Sequence, residues 1–141
     1  MRRIVIGVGN PTRGDDAAGL EVARRVRRVE AHQEANGSYE LMDVWEGADE
    51  VIVVDAARSG APPGTVHRFD AHHEPLPSGI LATSTHSVGV METIEMARRL
   101  GRLPERIMVY GIEVSTLAPG VGLSDQVERA VKELVMEIDR A

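Results

Sequence analysis

Three side chains that can bind a metal ion stand next to predicted strand ends or a predicted helix start. One apolar run leads into a loop with the adjacent acids Asp15 and Asp16, and a second apolar run ends on Asp55. His86 stands just before a stretch with helical spacing. Because strand ends converge on one crevice in an open α/β sheet, an acid of the Asp15-Asp16 pair, Asp55 and His86 are placed where they could meet and hold one divalent cation. Carboxylate and imidazole ligands suit a divalent cation such as nickel, zinc or manganese.

The adjacent acids are expected to have different roles. Neighbouring side chains on a helical turn point about 100° apart, so Asp15 and Asp16 do not both aim easily at one ion. We expect one of them to face the crevice, and the other to cap backbone N–H groups or to support the ligands from behind. Asp55 closes a buried strand, where an isolated carboxylate is costly unless it is paired, capped or bound to a cation.

Rival sites have weaker support. Gly7-Val8-Gly9 begins like a dinucleotide-binding loop, but Thr12 replaces the third glycine and acids follow where a pyrophosphate would bind. We expect these two glycines to let the backbone turn tightly at the sheet edge. His72-His73-Glu74 lies in a proline-flanked loop and is expected to be solvated. The sequence has no Gly-x-Ser-x-Gly, Walker or His-Glu-x-x-His motif.

Length and composition limit the class of protein. The 141 residues fit a single domain, 1–141, large enough for a substantial core. A net charge of −6 argues against nonspecific nucleic-acid binding. The absence of cysteine excludes disulfides and thiolate ligands and agrees with a cytoplasmic location. No stretch approaches the ~20 apolar residues of a membrane span.

The apolar periodicity predicts alternating strands and helices, and therefore a three-layer α/β/α sandwich on a mostly parallel five-stranded sheet. The fourth predicted strand is expected at an edge and antiparallel. The predicted strands are residues 3–8, 39–44, 50–55, 65–69 and 106–112. The predicted helices are residues 16–29, residues 87–100, and a last helix that Ser124 caps.

Two further features have open interpretations. Arg24, Arg25, Arg27 and Arg28 crowd the end of the first predicted helix. They form either a solvated face that favours a helix C-terminus or a docking patch for an acidic partner. Trp45, the only tryptophan, either fills space in a short connection or is an exposed aromatic that contacts a partner.

Several short motifs, in order along the whole chain, resemble the nickel–iron hydrogenase maturation protease family. Each motif is weak alone, and the ordered set is more specific. The motifs are Gly7-Val8-Gly9-Asn10 followed by Asp15-Asp16 and Gly19, Val53-Val54-Asp55-Ala56, Pro63-Gly64-Thr65, Ser84-Thr85-His86, Tyr110-Gly111-Ile112-Glu113, and Gly122-Leu123-Ser124 with Val127-Glu128.

The resemblance implies a phosphorylase/hydrolase-like fold and a cytoplasmic, metal-dependent endopeptidase. Such an enzyme removes a C-terminal extension from the hydrogenase large-subunit precursor after nickel insertion. The resemblance assigns Asp16, Asp55 and His86 as the catalytic metal ligands, and we expect these three side chains to converge around one ion. Asp16 is then the acid that points into the crevice, and Asp15 the one that caps backbone N–H groups or supports the ligands. Nickel would come with the substrate, and another divalent metal can substitute. Two alternatives remain open: a non-catalytic metal- or partner-binding module of the same fold, and an unrelated metal-dependent hydrolase of small molecules.

Overall fold

A five-stranded sheet with the strand order β2-β1-β3-β5-β4 forms the middle layer. The computed structural model of the chain describes residues 1–77, 79–81, 89–115, 120 and 122–141. Four strands are parallel, and β4 is antiparallel to β5 at one edge, as predicted. The strands are β1 (Arg3–Val8), β2 (Glu30–Glu34), β3 (Glu50–Ala57), β4 (Val66–Asp70) and β5 (Arg106–Glu113).

Helices cover both faces of the sheet, which confirms the predicted α/β/α sandwich. One apolar cluster joins α2 and α3 to one face, and a second joins α1 and α4 to the other. No helix in the described ranges is long and apolar enough to cross a membrane. The helices are a 3-10 helix (Gly14–Ala17), α1 (Ala18–Arg25), α2 (Leu41–Trp45), α3 (Val90–Leu100) and α4 (Asp125–Arg140).

The second strand was predicted in the wrong place. Residues 39–44 were expected to be a strand, but helix α2 occupies this region and β2 lies earlier in the chain. The buried side chains of α2 are Leu41, Met42 and Trp45, and this spacing is helical when Trp45 is included. Strand β2 has the sequence Glu-Ala-His-Gln-Glu and lies at the sheet edge, so it lacks the apolar pattern that identifies buried strands.

The first predicted helix, 16–29, is shorter than expected. The α-helix ends at Arg25, Val26 is extended, and the Asp139 carboxylate accepts the backbone N–H groups of Arg27 and Arg28. Arg24 and Arg25 pair with Glu21 on the preceding turn of the same helix. Arg24 and Arg25 therefore lie in the last turn of α1, where positive charge is favourable. Arg27 and Arg28 lie beyond the end of the helix.

Trp45 fills space in the core. Its side chain is buried, and its indole N–H donates a hydrogen bond of 3.0 Å to the carbonyl oxygen of Arg102. Of the two interpretations of this residue, the space-filling one is confirmed. The bond links α2 to the segment after α3, so a short helix is anchored by one large aromatic side chain.

Three glycines let the 3-10 helix and α1 lie directly on the strands. A Cβ at Gly7 would lie 2.0 Å from the carbonyl oxygen of Gly19, and one at Gly9 would lie 2.1 Å from that of Asp16. A Cβ at Gly19 would lie 2.2 Å from the carbonyl oxygen of Val54 in β3. Neither Gly7 nor Gly9 has a positive φ. Gly7 lies inside β1 and makes no turn, whereas Gly9 directly precedes the turn closed by the N–H of Arg13 and the carbonyl oxygen of Asn10. What requires glycine at both positions is the close backbone approach.

We expect Gly19→Ala to lower the free energy of unfolding by about 3 kcal/mol, because the added methyl overlaps backbone that must move. Urea denaturation measures the change. The matched control is Gly101→Ala, since Gly101 has a φ of +69° with open space around the added Cβ. It should cost only the backbone strain, about 1 kcal/mol. Equal losses in the two variants would contradict the close-approach explanation.

Candidate functional site

Four buried acids lie at or near the carboxyl edge of the sheet. They are the buried acidic residues of the described ranges: Asp15, Asp16, Asp55 and Glu113. Strands β1 and β3 are parallel neighbours, so the loop after β1 and the end of β3 meet at this edge. The 3-10 helix that carries Asp16 contacts β3 directly. Two of the three predicted ligands therefore lie buried on adjoining elements of one edge.

Short backbone contacts orient the carboxylates of Asp16 and Asp55. Asp16 Oδ2 accepts the N–H of Asn10 at 3.1 Å, and Asp55 Oδ1 accepts the N–H of Ala56 at 2.8 Å. A carboxylate can accept about four hydrogen bonds or metal bonds through its two oxygens. These N–H contacts are therefore compatible with metal ligation.

The third predicted ligand, His86, lies outside the described residues, together with Ser84 and Thr85. The meeting of Asp16, Asp55 and His86 therefore stays a prediction. Val51, Val53 and Asp55 stand at every second position of β3, so their side chains point to the same face of the sheet. Val51 and Val53 belong to the apolar cluster of α2 and α3. The Asp55 side chain is thus on the sheet face that α3 covers, and α3 is the helix that follows His86 in sequence.

Asp15 joins two segments that are distant in sequence. Its carboxylate accepts the backbone N–H of Ser115 at 2.7 Å, the backbone N–H of Ser124 at 2.7 Å and the Ser124 hydroxyl at 2.8 Å. Asp15 thus binds backbone N–H groups as predicted, but they belong to distant segments, and its own 3-10 helix shows no side-chain cap hydrogen bond. Ser124 is the N-cap residue of α4, as predicted, but its hydroxyl donates to Asp15 rather than capping the helix.

The loop after β1 is also joined to Gly120. The N–H of Gly14 donates to the carbonyl oxygen of Gly120 at 2.9 Å, and the N–H of Gly120 donates to that of Thr12 at 2.8 Å. Together with the Asp15 contacts, these bonds tie the Asp16 loop to the chain between β5 and α4. The position of Asp16 thus depends on residues about a hundred positions later in sequence.

We expect Asp15→Asn to lower the free energy of unfolding by about 2–3 kcal/mol, because an amide NH2 would face N–H donors in a buried place. Ser124→Ala removes only the hydroxyl contact and should cost about 1 kcal/mol. Chemical denaturation of both variants at pH 7 measures which of them loses more unfolding free energy. An Asp15→Asn protein as stable as Ser124→Ala would show that the charge of Asp15 is not needed for this junction.

A second polar network, missed by the sequence analysis, surrounds Glu113 at the end of β5. The Ser59 hydroxyl donates to Glu113 Oε1 at 2.6 Å, and His67 Nε2 lies 3.0 Å from the same oxygen. The backbone N–H groups of Ser59 and Gly60 also donate to this carboxylate. The available signal was that Glu113, like Asp55, is an acid that closes an apolar strand.

The three side chains do not have the geometry of a catalytic triad. In a triad the acid orients the histidine through one ring nitrogen while the other nitrogen accepts the serine proton. Here the single atom Nε2 of His67 contacts both Glu113 Oε1 and the Ser59 oxygen, the latter at 3.3 Å, and Glu113 binds the serine directly. The network is therefore a brace that ties the β3–β4 connection to strands β4 and β5.

The pKa of Glu113 is lowered from its ordinary value. Burial alone would raise it, but hydrogen bonds from Ser59 and His67 and from the N–H groups of Ser59 and Gly60 outweigh burial. A carboxyl group with a lower pKa in the folded chain stabilises the fold above the unfolded-state pKa. That stabilisation is lost as the pH falls through the folded-state value.

We therefore expect the stability difference between the wild type and Glu113→Gln to be large at pH 7 and to shrink steadily below about pH 4. Urea denaturation across this pH range measures it. Glu133→Gln, at an exposed position of α4, is the control and should differ little from the wild type at any pH. A difference for Glu113→Gln that stays constant down to pH 3 would contradict ionisation of Glu113 in the folded protein.

The rival histidine pair makes local contacts. His72 Nδ1 lies 3.0 Å from the carbonyl oxygen of Pro104, and His73 Nδ1 lies 2.8 Å from Asp70 Oδ2. The His73 side chain is exposed, as expected for a loop residue. Within the described ranges, no three histidine, aspartate or glutamate side chains group closely enough to hold a metal ion.

The fold is shared with a solved enzyme structure. The [NiFe] hydrogenase maturation protease HybD from Thermococcus kodakarensis superposes with a TM-score of 0.78 at 25% identity, covering 99% of this chain and 98% of that one. The match extends over nearly the full length of both chains. The α/β/α sandwich of this chain is thus the fold of that protease structure as well.

Sequence comparisons identify the family. The family model for hydrogenase maturation protease matches residues 35–141. The Hydrogenase 2 maturation protease of Escherichia coli (strain K12) is 25% identical over 147 residues, covering 98% of this chain and 88% of that protein. The hydrogenase expression/formation protein HupD of Thiocapsa roseopersicina is 27% identical over 117 residues, covering 78% of this chain. The chain spans about half of HupD, 53%. It belongs to the hydrogenase maturation protease family.

Proposed function

We propose that this protein is an endopeptidase that removes a C-terminal extension from the nickel-loaded large-subunit precursor of a nickel–iron hydrogenase. The observation that carries the proposal is the burial of Asp16 and Asp55 on adjoining elements of one sheet edge, in a chain that belongs to this family. The reaction would take place in the cytoplasm. This location agrees with a chain that has no cysteine.

The proposed ligands of the substrate's nickel are Asp16, Asp55 and His86. Two carboxylates and one imidazole form a donor set that suits nickel and other divalent cations. The two described carboxylates are buried, and each is oriented by a backbone N–H bond of about 3 Å. Burial of two acids at one edge is costly by itself, and a cation between them would offset much of that cost.

Each residue has a separate task in this proposal. A bound cation supplies Lewis acidity toward a peptide carbonyl. Asp16 and Asp55 recognise the precursor that carries nickel, because their paired negative charges attract a cation and repel an anion. Asp15 holds the Asp16 loop in place through Ser115 and Ser124. The loop of Asp16 is thus held by contacts within the chain before the substrate arrives.

We expect the purified protein to shorten a nickel-loaded large-subunit precursor and to leave the nickel-free precursor intact. Asp16→Asn, Asp55→Asn and His86→Gln should each reduce cleavage at least a hundredfold, because an amide is a poor metal ligand. Mass spectrometry of the precursor at fixed times measures the product.

Matched controls are available in the chain. Asp139→Asn changes another aspartate that accepts backbone N–H groups, at the far end of α4. His73→Gln changes an exposed histidine of the rival cluster. Both should cleave at the wild-type rate, and circular dichroism confirms folding of every variant. Binding of the precursor without shortening would indicate the non-catalytic module. Full activity of His86→Gln would remove His86 from the ligand set.

A further inference from the structure

Glu113 closes the connection that follows the strand of Asp55. This connection, residues 58–65, joins β3 to β4. The Glu113 carboxylate binds the start of the connection through Ser59 and Gly60, and the Glu113 backbone binds its last two residues at 2.8 and 2.9 Å. One buried residue of β5 therefore holds both ends of the connection.

The same end of β3 also holds a second segment of chain. The N–H of Arg58 donates to the carbonyl oxygen of Ile80 at 2.8 Å, and Ala57 forms a β-bridge with Leu81. Two adjacent backbone N–H groups are thus held at this point. The N–H of Arg58 is bound by the Ile80 carbonyl oxygen, and the N–H of Ser59 is bound by the Glu113 carboxylate. Release of the carboxylate would loosen both the connection and the segment 79–81.

The segment 79–81 lies beside the residue that is paired with Asp55 on the neighbouring strand. In the sheet, Asp55 of β3 is paired with Gly111 of β5. A Cβ built at Gly111 would lie 3.2 Å from the Leu81 side chain. Leu81 therefore packs over Gly111, on the face of the sheet to which a side chain at position 111 would point. Residues paired in register on parallel strands point to the same face. Leu81 therefore lies on the same sheet face as Asp55, one strand away.

We propose that Glu113 is a positioning residue of the candidate site: its carboxylate fixes the carboxyl end of β3 and, through Arg58, the segment 79–81 next to Asp55. This inference rests on the proposed endopeptidase function. Glu113 acts through the backbone of β3, the strand that carries Asp55. A displacement of about 1 Å at a reacting site can reduce a rate by about a hundredfold, so a brace of this kind affects turnover more than binding.

The test compares Glu113→Gln with Glu50→Gln. Glu50 begins the same strand, and its carboxylate pairs with Arg3 at 2.6 Å, so this control removes a partly buried acid at the opposite end of β3. We expect Glu113→Gln to lower kcat for precursor cleavage about tenfold or more, with KM changed by less than about threefold. Glu50→Gln should keep the wild-type kcat even where it lowers the Tm.

Ser59 provides a milder variant in case Glu113→Gln does not fold. Ser59→Ala removes the 2.6 Å hydroxyl contact with Glu113 and should lower kcat several-fold, whereas Ser59→Thr keeps the hydroxyl and should restore it. A purely structural role would lower the Tm in Ser59→Ala and leave kcat unchanged, and that result would overturn the proposal.

Amide hydrogen exchange gives a readout that does not depend on activity. Exchange at Arg58 and Ser59 should be at least about tenfold faster in Glu113→Gln, or in Ser59→Ala if the former does not fold, and unchanged in Glu50→Gln. Equal exchange in the wild type and the brace variant would overturn the positioning role. A wild-type protein that leaves the precursor intact would reject the proposed function, and the exchange rates would still decide whether Glu113 fixes this end of β3.

Discussion

The close approach of the 3-10 helix and α1 to strands β1 and β3 is the constraint on which the candidate site depends. At Gly7, Gly9 and Gly19, backbone meets backbone with no room for a methyl group. The carbonyl oxygen of Val54, which immediately precedes Asp55, lies against Gly19, three residues after Asp16. Because the spacing between layers is set by glycine, the loop of Asp16 is brought down onto the end of β3. Larger residues would raise the helix and separate the two acids.

The buried acids at this edge differ in how far along the chain their described contacts reach. Asp15 binds residues of the chain between β5 and α4, and Glu113 ties the β3–β4 connection to strands β4 and β5. Asp16 and Asp55 each accept a backbone N–H from close in sequence, which fixes the direction of the carboxylate. The long-range contacts thus support the loop of Asp16 and the end of the strand that carries Asp55. Backbone bonds thus orient the two described carboxylates before any ligand arrives, which reduces the entropy lost on binding.

Much of the layer structure follows from the sequence because buried strands and amphipathic helices carry strong patterns. Strands β1, β3 and β5 are apolar runs and lie where the periodicity places them, and α3 ends at the left-handed Gly101 as its sequence predicts. Strand β2 was missed because an exposed edge strand is held mainly by backbone pairing, which any side chain permits. Helix α2 was taken for a strand because five residues are too few to separate the two periods without Trp45.

The sequence by itself determined the fold class, the family motifs and the positions of the candidate acids at strand ends, since these depend on local pattern and on residue type. Only the tertiary structure decided what each acid touches. Asp15 binds Ser115 and Ser124, about a hundred positions away, and the brace of Glu113 joins residues about fifty positions apart. The glycines in the sequence mark positions that need a residue without a Cβ. They do not show whether the reason is a turn or the close approach of another element. Such long-range contacts are set by how the layers pack together, and no local pattern records them.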